Sequence, residues 1–300
     1  MKKLVGHLMI AVIRLFSLMP LPLAHKVGRA AAWLAWHTGG SFRRIAEVNT
    51  RLCWPAMKPD ERQQFIRRAF RQNAMMFSEM GLMWARPVDH ALGHIRDVHG
   101  EEIFQQALAA GKGVLLLAPH LGNWELTNTY IASRTQLTAM YRPARNPVFD
   151  EWMHGHREKT GADLVPTTTG GIKALYRCLR GGGVVGILPD QEPQPESGEF
   201  APFLGVEALT PTLPVQLLQR TGARAVLIYA RRLDNDRGFD IHFAAPDDDI
   251  YDSDAGVALT AMNRSVEQCL QTCPDQYQWL YKRFKRQPGQ RGNRYKAATD

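Results

Sequence analysis

A chain of 300 residues with 45% hydrophobic content can hold one large domain or two small ones around a sizeable core. That excludes a disordered tail and a disulfide-stapled miniprotein. Lys and Arg number 37 against 29 Asp and Glu, a formal +8 with a pI near 9.5, which favours anionic partners: nucleic acid, an acidic membrane surface or an acidic protein.

Residues 4–24, LVGHLMIAVIRLFSLMPLPLA, are long enough to cross a bilayer, although His7, Arg14, Pro20 and Pro22 interrupt them. No small-residue cleavage site follows, so a removed signal peptide is not expected. The segment reads as a tilted membrane anchor or an interfacial helix, with a buried helix of the soluble part as the competing reading. Residues 27–85 read as helical. In DERQQFIRRAFRQNAMMFSEMGLMWA, Phe65, Ala69, Phe70, Met76, Phe77 and Met80 recur at helical spacing. Arg62, Arg67, Arg68 and Arg71 occupy the polar side, as a solvated face or a surface for lipid headgroups.

After Gly111 short apolar runs alternate with amphipathic stretches. Strands are expected at 113–119, 137–143, 161–166, 183–189, 223–230 and 239–244, and helices at 123–133, 147–160, 171–180 and 212–221. A last helix spans roughly 255–273, and PDQEPQPESGEFAP (189–202) reads as a long functional loop. The fold class is α/β: a mixed, mostly parallel sheet covered by helices, with a helical N-terminal region. The organisation is an anchor or interfacial helix over 1–24, a helical region over 25–100, and an α/β core over 101–290 with a basic tail to 300. That tail holds Lys282, Arg283, Lys285, Arg286, Arg291, Arg294 and Lys296 with Tyr281, Phe284 and Tyr295 between them. Nucleic acid is the generic partner of such a run. Beside a hydrophobic N-terminus, an anionic membrane, lipid phosphates or an acidic carrier protein is the more economical one.

LLLAPHLGNWELTN is the strongest local signal for chemistry. An apolar strand ends at Pro119-His120, where open α/β sheets place their ligands. Glu125, five residues on and in the first helical turn, can turn back and accept the imidazole Nδ1–H. A histidine that merely caps the core is the bland alternative. Trp124 reads equally as a neighbour of the site or as plain core. Other matches fail on context. The glycines of Gly181–Gly186 precede a strand, so no dinucleotide fingerprint forms; Ala110–Gly113 lacks a phosphate-loop frame; His90 and His94 lack a zinc-peptidase glutamate. No metal site and no cofactor are expected. Cys53, Cys178, Cys269 and Cys273 lack zinc-ligand spacing and read as reduced thiols.

APHLGNWE, YRPARNPVFD, ILPDQEP and QYQWLYKRFKRQP, in this order, resemble the late acyltransferases of lipid A biosynthesis, within the lysophospholipid and glycerolipid acyltransferases whose shared mark is His-x4-Asp/Glu. The resemblance spans roughly residues 1–290. It implies single-displacement acyl transfer from acyl carrier protein to a hydroxyl of a lipid A precursor, at the cytoplasmic face of the inner membrane. A lyso-ornithine lipid or lysophospholipid is the alternative acceptor. His120 resembles the general base and Glu125 its charge-orienting partner. Arg142 resembles a phosphate or oxyanion contact one strand over. Its bland reading is a salt bridge to Glu125 or Asp150. Asn146 and Asp150 follow as substrate contacts or helix caps. Asp190 and Glu192 stand where glycerolipid acyltransferases carry Pro-Glu-Gly-Thr-Arg, a departure that leaves them as groups shaping the acceptor site. No covalent acyl-enzyme is implied, because no Gly-x-Ser-x-Gly elbow is present and the cysteines lack a paired base. An apolar pocket is expected to set acyl length, with Met75, Met76, Met80 and Met83 as a candidate wall.

Overall fold

The computed structural model describes residues 2–38, 40–289 and 293–295. In chain order the elements are α1 (Lys2–Ser17), α2 (Leu21–His37), α3 (Ser41–Cys53), α4 (Pro59–Ala85), α5 (Val88–Leu92), β1 (Ile95–His99), α6 (Glu101–Ala109) and β2 (Val114–Leu117). There follow α7 (Trp124–Ala132), β3 (Leu137–Tyr141), α8 (Pro147–Glu158), β4 (Asp163–Pro166), α9 (Thr169–Arg180) and β5 (Val184–Ile187). The chain closes with β6 (Gly198–Phe203), β7 (Val206–Pro211), α10 (Leu213–Thr221), β8 (Arg224–Arg232), β9 (Phe239–Ala244) and α11 (Ala255–Thr272).

Seven strands form one sheet in the order β1-β9-β8-β2-β5-β3-β4. Every pairing is parallel except β8 with β9, so the mostly parallel sheet is as expected. The central β2, VLLL, is buried at all four positions because helices cover both faces. On one face Leu115, Leu117, Val185 and Leu227 pack with Leu179, Met262 and Phe65. On the other, Val114, Leu116, Val226 and Ile241 pack with Phe104, Leu126 and Leu82. The 27-residue α4 contributes Phe65–Phe70 to the first cluster and Leu82–Trp84 to the second. It therefore crosses the carboxyl ends of the strands, and Glu79, between the two stretches, meets Asn123 after β2 and Arg232 at the end of β8.

Residues 4–24 are not one span. α1 is about 24 Å long at 1.5 Å per residue. It ends before Pro20, which lacks an N–H and pushes the preceding residue out of the helical region. Among the described residues no helix is long and apolar enough to cross a membrane. Instead α1 and α2 pack on α4 and leave Leu4, Leu8, Leu15, Leu18, Trp33 and Leu34 exposed.

The stretch 189–202 is not a plain loop, since it runs into β6 of an antiparallel β6–β7 hairpin. Its two-residue turn, Leu204–Gly205, has both φ values positive, at 49° and 76°. The basic tail is also different from expectation. Arg283 is buried and donates to the Leu209 carbonyl at 2.7 Å and to Thr210 Oγ1 at 3.0 Å. Phe284 and Tyr295 are buried too, so this segment closes the core and only part of it faces outward. Arg291 and Lys296 lie outside the described residues.

Candidate active site

His120 stands just past the carboxyl end of β2, and the loop that carries it is built around one glycine. Gly122 has φ +62°, and a Cβ there would lie 1.9 Å from the Ala230 carbonyl oxygen, so no other residue fits. Asn123 then starts α7: its Oδ1 accepts from the Leu126 N–H at 3.0 Å, and its own N–H donates to Ala230 at 2.8 Å.

The carboxylate on His120 is Asp190, not Glu125. Asp190 follows β5, the strand paired with β2, so parallel register brings the two strand ends together. The His120 Nδ1–H donates to Asp190 Oδ1 at 2.8 Å, and the His120 backbone N–H donates to Oδ2 at 2.9 Å. Burial alone would raise the Asp190 carboxyl, but the charge and hydrogen bonds of His120 outweigh it and hold Asp190 below the ordinary value. Tyr277, buried beside Asp190, has its hydroxyl pushed well above the ordinary value by burial. With Nδ1 donating, Nε2 carries the lone pair. It accepts from the Gln191 amide at 3.0 Å, and that amide also donates to Gln278 Oε1 at 2.8 Å. Trp124 packs edge-on against the imidazole, with ring centres 5.0 Å apart.

Glu125 points the other way. Its Oε2 accepts from Trp84 Nε1–H at 2.9 Å and from Arg157 Nε–H at 3.2 Å, while Oε1 accepts from the same guanidinium. Burial would lower the Arg157 guanidinium, but Glu125 more than offsets it and holds it above its ordinary value. The first turn of α7 directs the Glu125 side chain toward α8, so the expected bond back to Nδ1 does not form. In the sequence Arg157 is one basic residue near the end of a helix, and no motif marks it.

The other candidates lie farther out. Arg142 is exposed at the end of β3, and β5 stands between β3 and β2, so it is two strands from His120 and not one. Asn146 caps α8, accepting from the Phe149 N–H at 3.2 Å, and Asp150 accepts from the Ala144 N–H at 2.6 Å. Glu192 accepts from the Lys285 and Arg286 N–H groups and from the Arg286 guanidinium, which ties the segment after β5 to the C-terminal segment.

Glu79, fully buried on α4, joins this loop to the N-terminal helices. It accepts from Asn123 Nδ2 at 2.8 Å, from the Arg232 guanidinium, and from His25 Nε2 at 2.6 Å. The other ring nitrogen of His25 lies 2.8 Å from Asp236 Oδ1, and Arg29 binds the same carboxylate. Hydrogen bonds from Arg29 hold Asp236 at about 2. Burial would raise Glu79, but Arg232 and His25 outweigh it and keep the carboxyl below its ordinary value.

A cavity of about 420 Å³ opens between α2, α4 and the segment at Gln278–Tyr281. Ala31, Ala35, Phe42, Phe70 and Phe77 line it, and Gln278 places one end within two hydrogen bonds of His120. The methionine wall is not there. Met76 and Met83 are buried elsewhere, and α4 turns Phe70, Ala74, Phe77 and Ser78 to the cavity instead.

A model of the bacterial lipid A biosynthesis acyltransferase family matches residues 2–286. The chain is similar to the lipid A biosynthesis lauroyltransferase of Escherichia coli (strain K12), at 28% identity over 287 residues, 95% of this chain and 93% of that protein. It is 27% identical over 280 residues to the palmitoleoyltransferase of the same organism, 93% of this chain and 90% of that one. With the myristoyltransferase it shares 28% over 274 residues, 90% and 82% of the two chains.

Proposed function

The chain belongs to the bacterial lipid A biosynthesis acyltransferase family, and from that premise we propose that it moves a fatty acyl group from acyl carrier protein to a hydroxyl of a lipid A precursor. His120 is the general base. One observation carries this reading: Asp190 fixes the Nδ1–H tautomer, which leaves the Nε2 lone pair on the Gln191 amide, and that amide also reaches Gln278 at the end of an apolar cavity. The acceptor hydroxyl takes the place of the Gln191 amide at Nε2 and gives up its proton as its oxygen attacks the thioester carbonyl. The imidazolium, stabilised by Asp190, then protonates the leaving thiolate.

Glu125 keeps a place in this proposal as a positioning group: it ties the first turn of α7, which follows the His120 loop, to Trp84 and Arg157. Arg142 serves as an outlying contact for acceptor phosphate, while Asn146, Asp150 and Glu192 support the loops around the site. The cavity takes the acyl chain. At about 0.8 kcal/mol per buried methylene, it favours longer chains until its floor is reached. Burial pushes the thiols of Cys53, Cys269 and Cys273 up to about 12, which supports direct transfer without an acyl-cysteine. The exposed apolar row of α1 and α2 suits attachment in the membrane interface, at the cytoplasmic face of the inner membrane, where carrier protein and precursor meet.

The test is transfer in vitro, with acyl-loaded carrier protein as donor and the Kdo-bearing lipid A precursor, a lyso-ornithine lipid or a lysophospholipid as acceptor, read by mass spectrometry. The precursor should gain one acyl group, and His120→Ala should slow transfer by about 10²–10⁴. Acylation of only the other two lipids would overturn the acceptor assignment.

A further inference from the structure

Two imidazoles and a carboxylate meet at the far edge of the sheet, away from His120. Along β9, FDIHFA, the side chains alternate: Phe239, Ile241 and Phe243 join the core, and Asp240 and His242 emerge on the other face. The edge strand β1 would by simple register turn His99 toward the core. It carries one extra residue, since Ile95 pairs with Phe239 but Val98 pairs with Ile241. That shift sets His99 beside His242 on the same face.

We infer that His99, Asp240 and His242 form a binding site for a divalent transition-metal ion of the zinc class. Their ligand atoms all lie within 4.8 Å of one another. His242 is held from one side by a stack on Tyr229, with ring centres 4.9 Å apart, and His99 stacks on its other side at 4.6 Å. His99 is 51% exposed, so it can turn out of that stack and close on an ion that sits roughly 2.0–2.1 Å from each nitrogen. Two polar atoms of the cluster are buried with no hydrogen-bond partner, His242 Nε2 and Asp240 Oδ1. An ion ligated by these two atoms would give both a partner; His99 itself stands closest to the other carboxylate oxygen, its Nε2 3.7 Å from Asp240 Oδ2. Arg231 already donates to the other carboxylate oxygen, Oδ2, at 2.9 Å, and so orients Asp240 as outer-shell partners of metal ligands do.

Two imidazoles with one carboxylate select zinc, cobalt or nickel over magnesium or calcium. Of the three groups Asp240 lines a cavity of about 450 Å³, together with Arg96, Asp97, Arg231 and Arg237, and the ion and the waters that complete its shell would enter from there. The nearby arginines weaken the site without removing a ligand. Bound metal would staple the edge strand β1 to β9.

The experiment uses the full chain, purified without a histidine tag and stripped with chelator, titrated with Zn²⁺ by calorimetry and with Co²⁺ by visible absorption. One ion per chain should bind with a nitrogen and oxygen ligand spectrum, and Mg²⁺ should not compete. His99→Ala and His242→Ala should each weaken binding by about tenfold or more. His90→Ala should leave it unchanged. Because His99 is largely exposed, its variant keeps the native fold, and a melting curve checks this. The inference is overturned if the wild type takes up no ion, if Co²⁺ shows sulfur ligation, or if the natively melting His99→Ala variant binds like wild type.

Discussion

Replacing Asp190 by Asn tests which carboxylate serves His120. Asp190 accepts two bonds from one residue, from the ring Nδ1–H at 2.8 Å and from the backbone N–H at 2.9 Å. An amide has one oxygen and cannot accept both. If that oxygen faces the backbone, its NH₂ meets Nδ1 and drives the proton to Nε2. Nε2 then has no lone pair for the acceptor hydroxyl and confronts the Gln191 amide donor. If the oxygen instead faces Nδ1, two N–H groups oppose each other at the backbone. Loss of the correct tautomer in a histidine–carboxylate pair costs about 10⁴ in turnover. The stability change should be smaller, roughly 1–3 kcal/mol, since the hydrogen bonds lost are partly offset by no longer burying a charge. Single-turnover transfer from acyl carrier protein, beside a thermal melt, measures both. Activity within tenfold of wild type in a natively melting Asp190→Asn protein would refute the pairing.

Glu79→Ala should cost about 3–5 kcal/mol, because it strands the Arg232 guanidinium and the His25 ring in the interior and frees Asn123. Glu79→Gln should be milder, and a thermal melt of Glu79→Ala that matches wild type would count against the network. Burial holds Cys53, Cys269 and Cys273 at about 12, so at pH 8 roughly 10⁻⁴ of each is thiolate. Alkylation of the native protein should be slow, quicken about tenfold per pH unit while the fold holds, and leave transfer unaffected at pH 8. Rapid modification of any of these three at pH 8, with loss of transfer, would reopen a thiol mechanism.

Much of the α/β core is legible because its signals are local. The apolar run GVLLLAP is a strand buried on both faces, and the asparagine directly after the glycine of HLGNWE caps the helix that follows. That places His120 at a strand end from sequence alone. The partner of His120 is a different matter. Glu125 is near in the chain, yet the helix turn aims it at Arg157; Asp190 is 70 residues away and adjacent only because β5 pairs with β2. Strand order is a long-range property, which is also why Arg142 fell one strand farther out than expected.

The β6–β7 hairpin escaped because its turn is Leu204–Gly205, and a leucine at positive φ carries no turn signal. β1 escaped because IRDVH has no clean alternation, its register being broken by the extra residue that turns His99 outward. Composition marks Arg283 as one more tail cation, but only packing shows the Leu209 carbonyl and Thr210 hydroxyl that bury it. Periodicity and capping act over a few residues and are written in the chain. Which side chains face one another across strands is set by register, which no local pattern encodes.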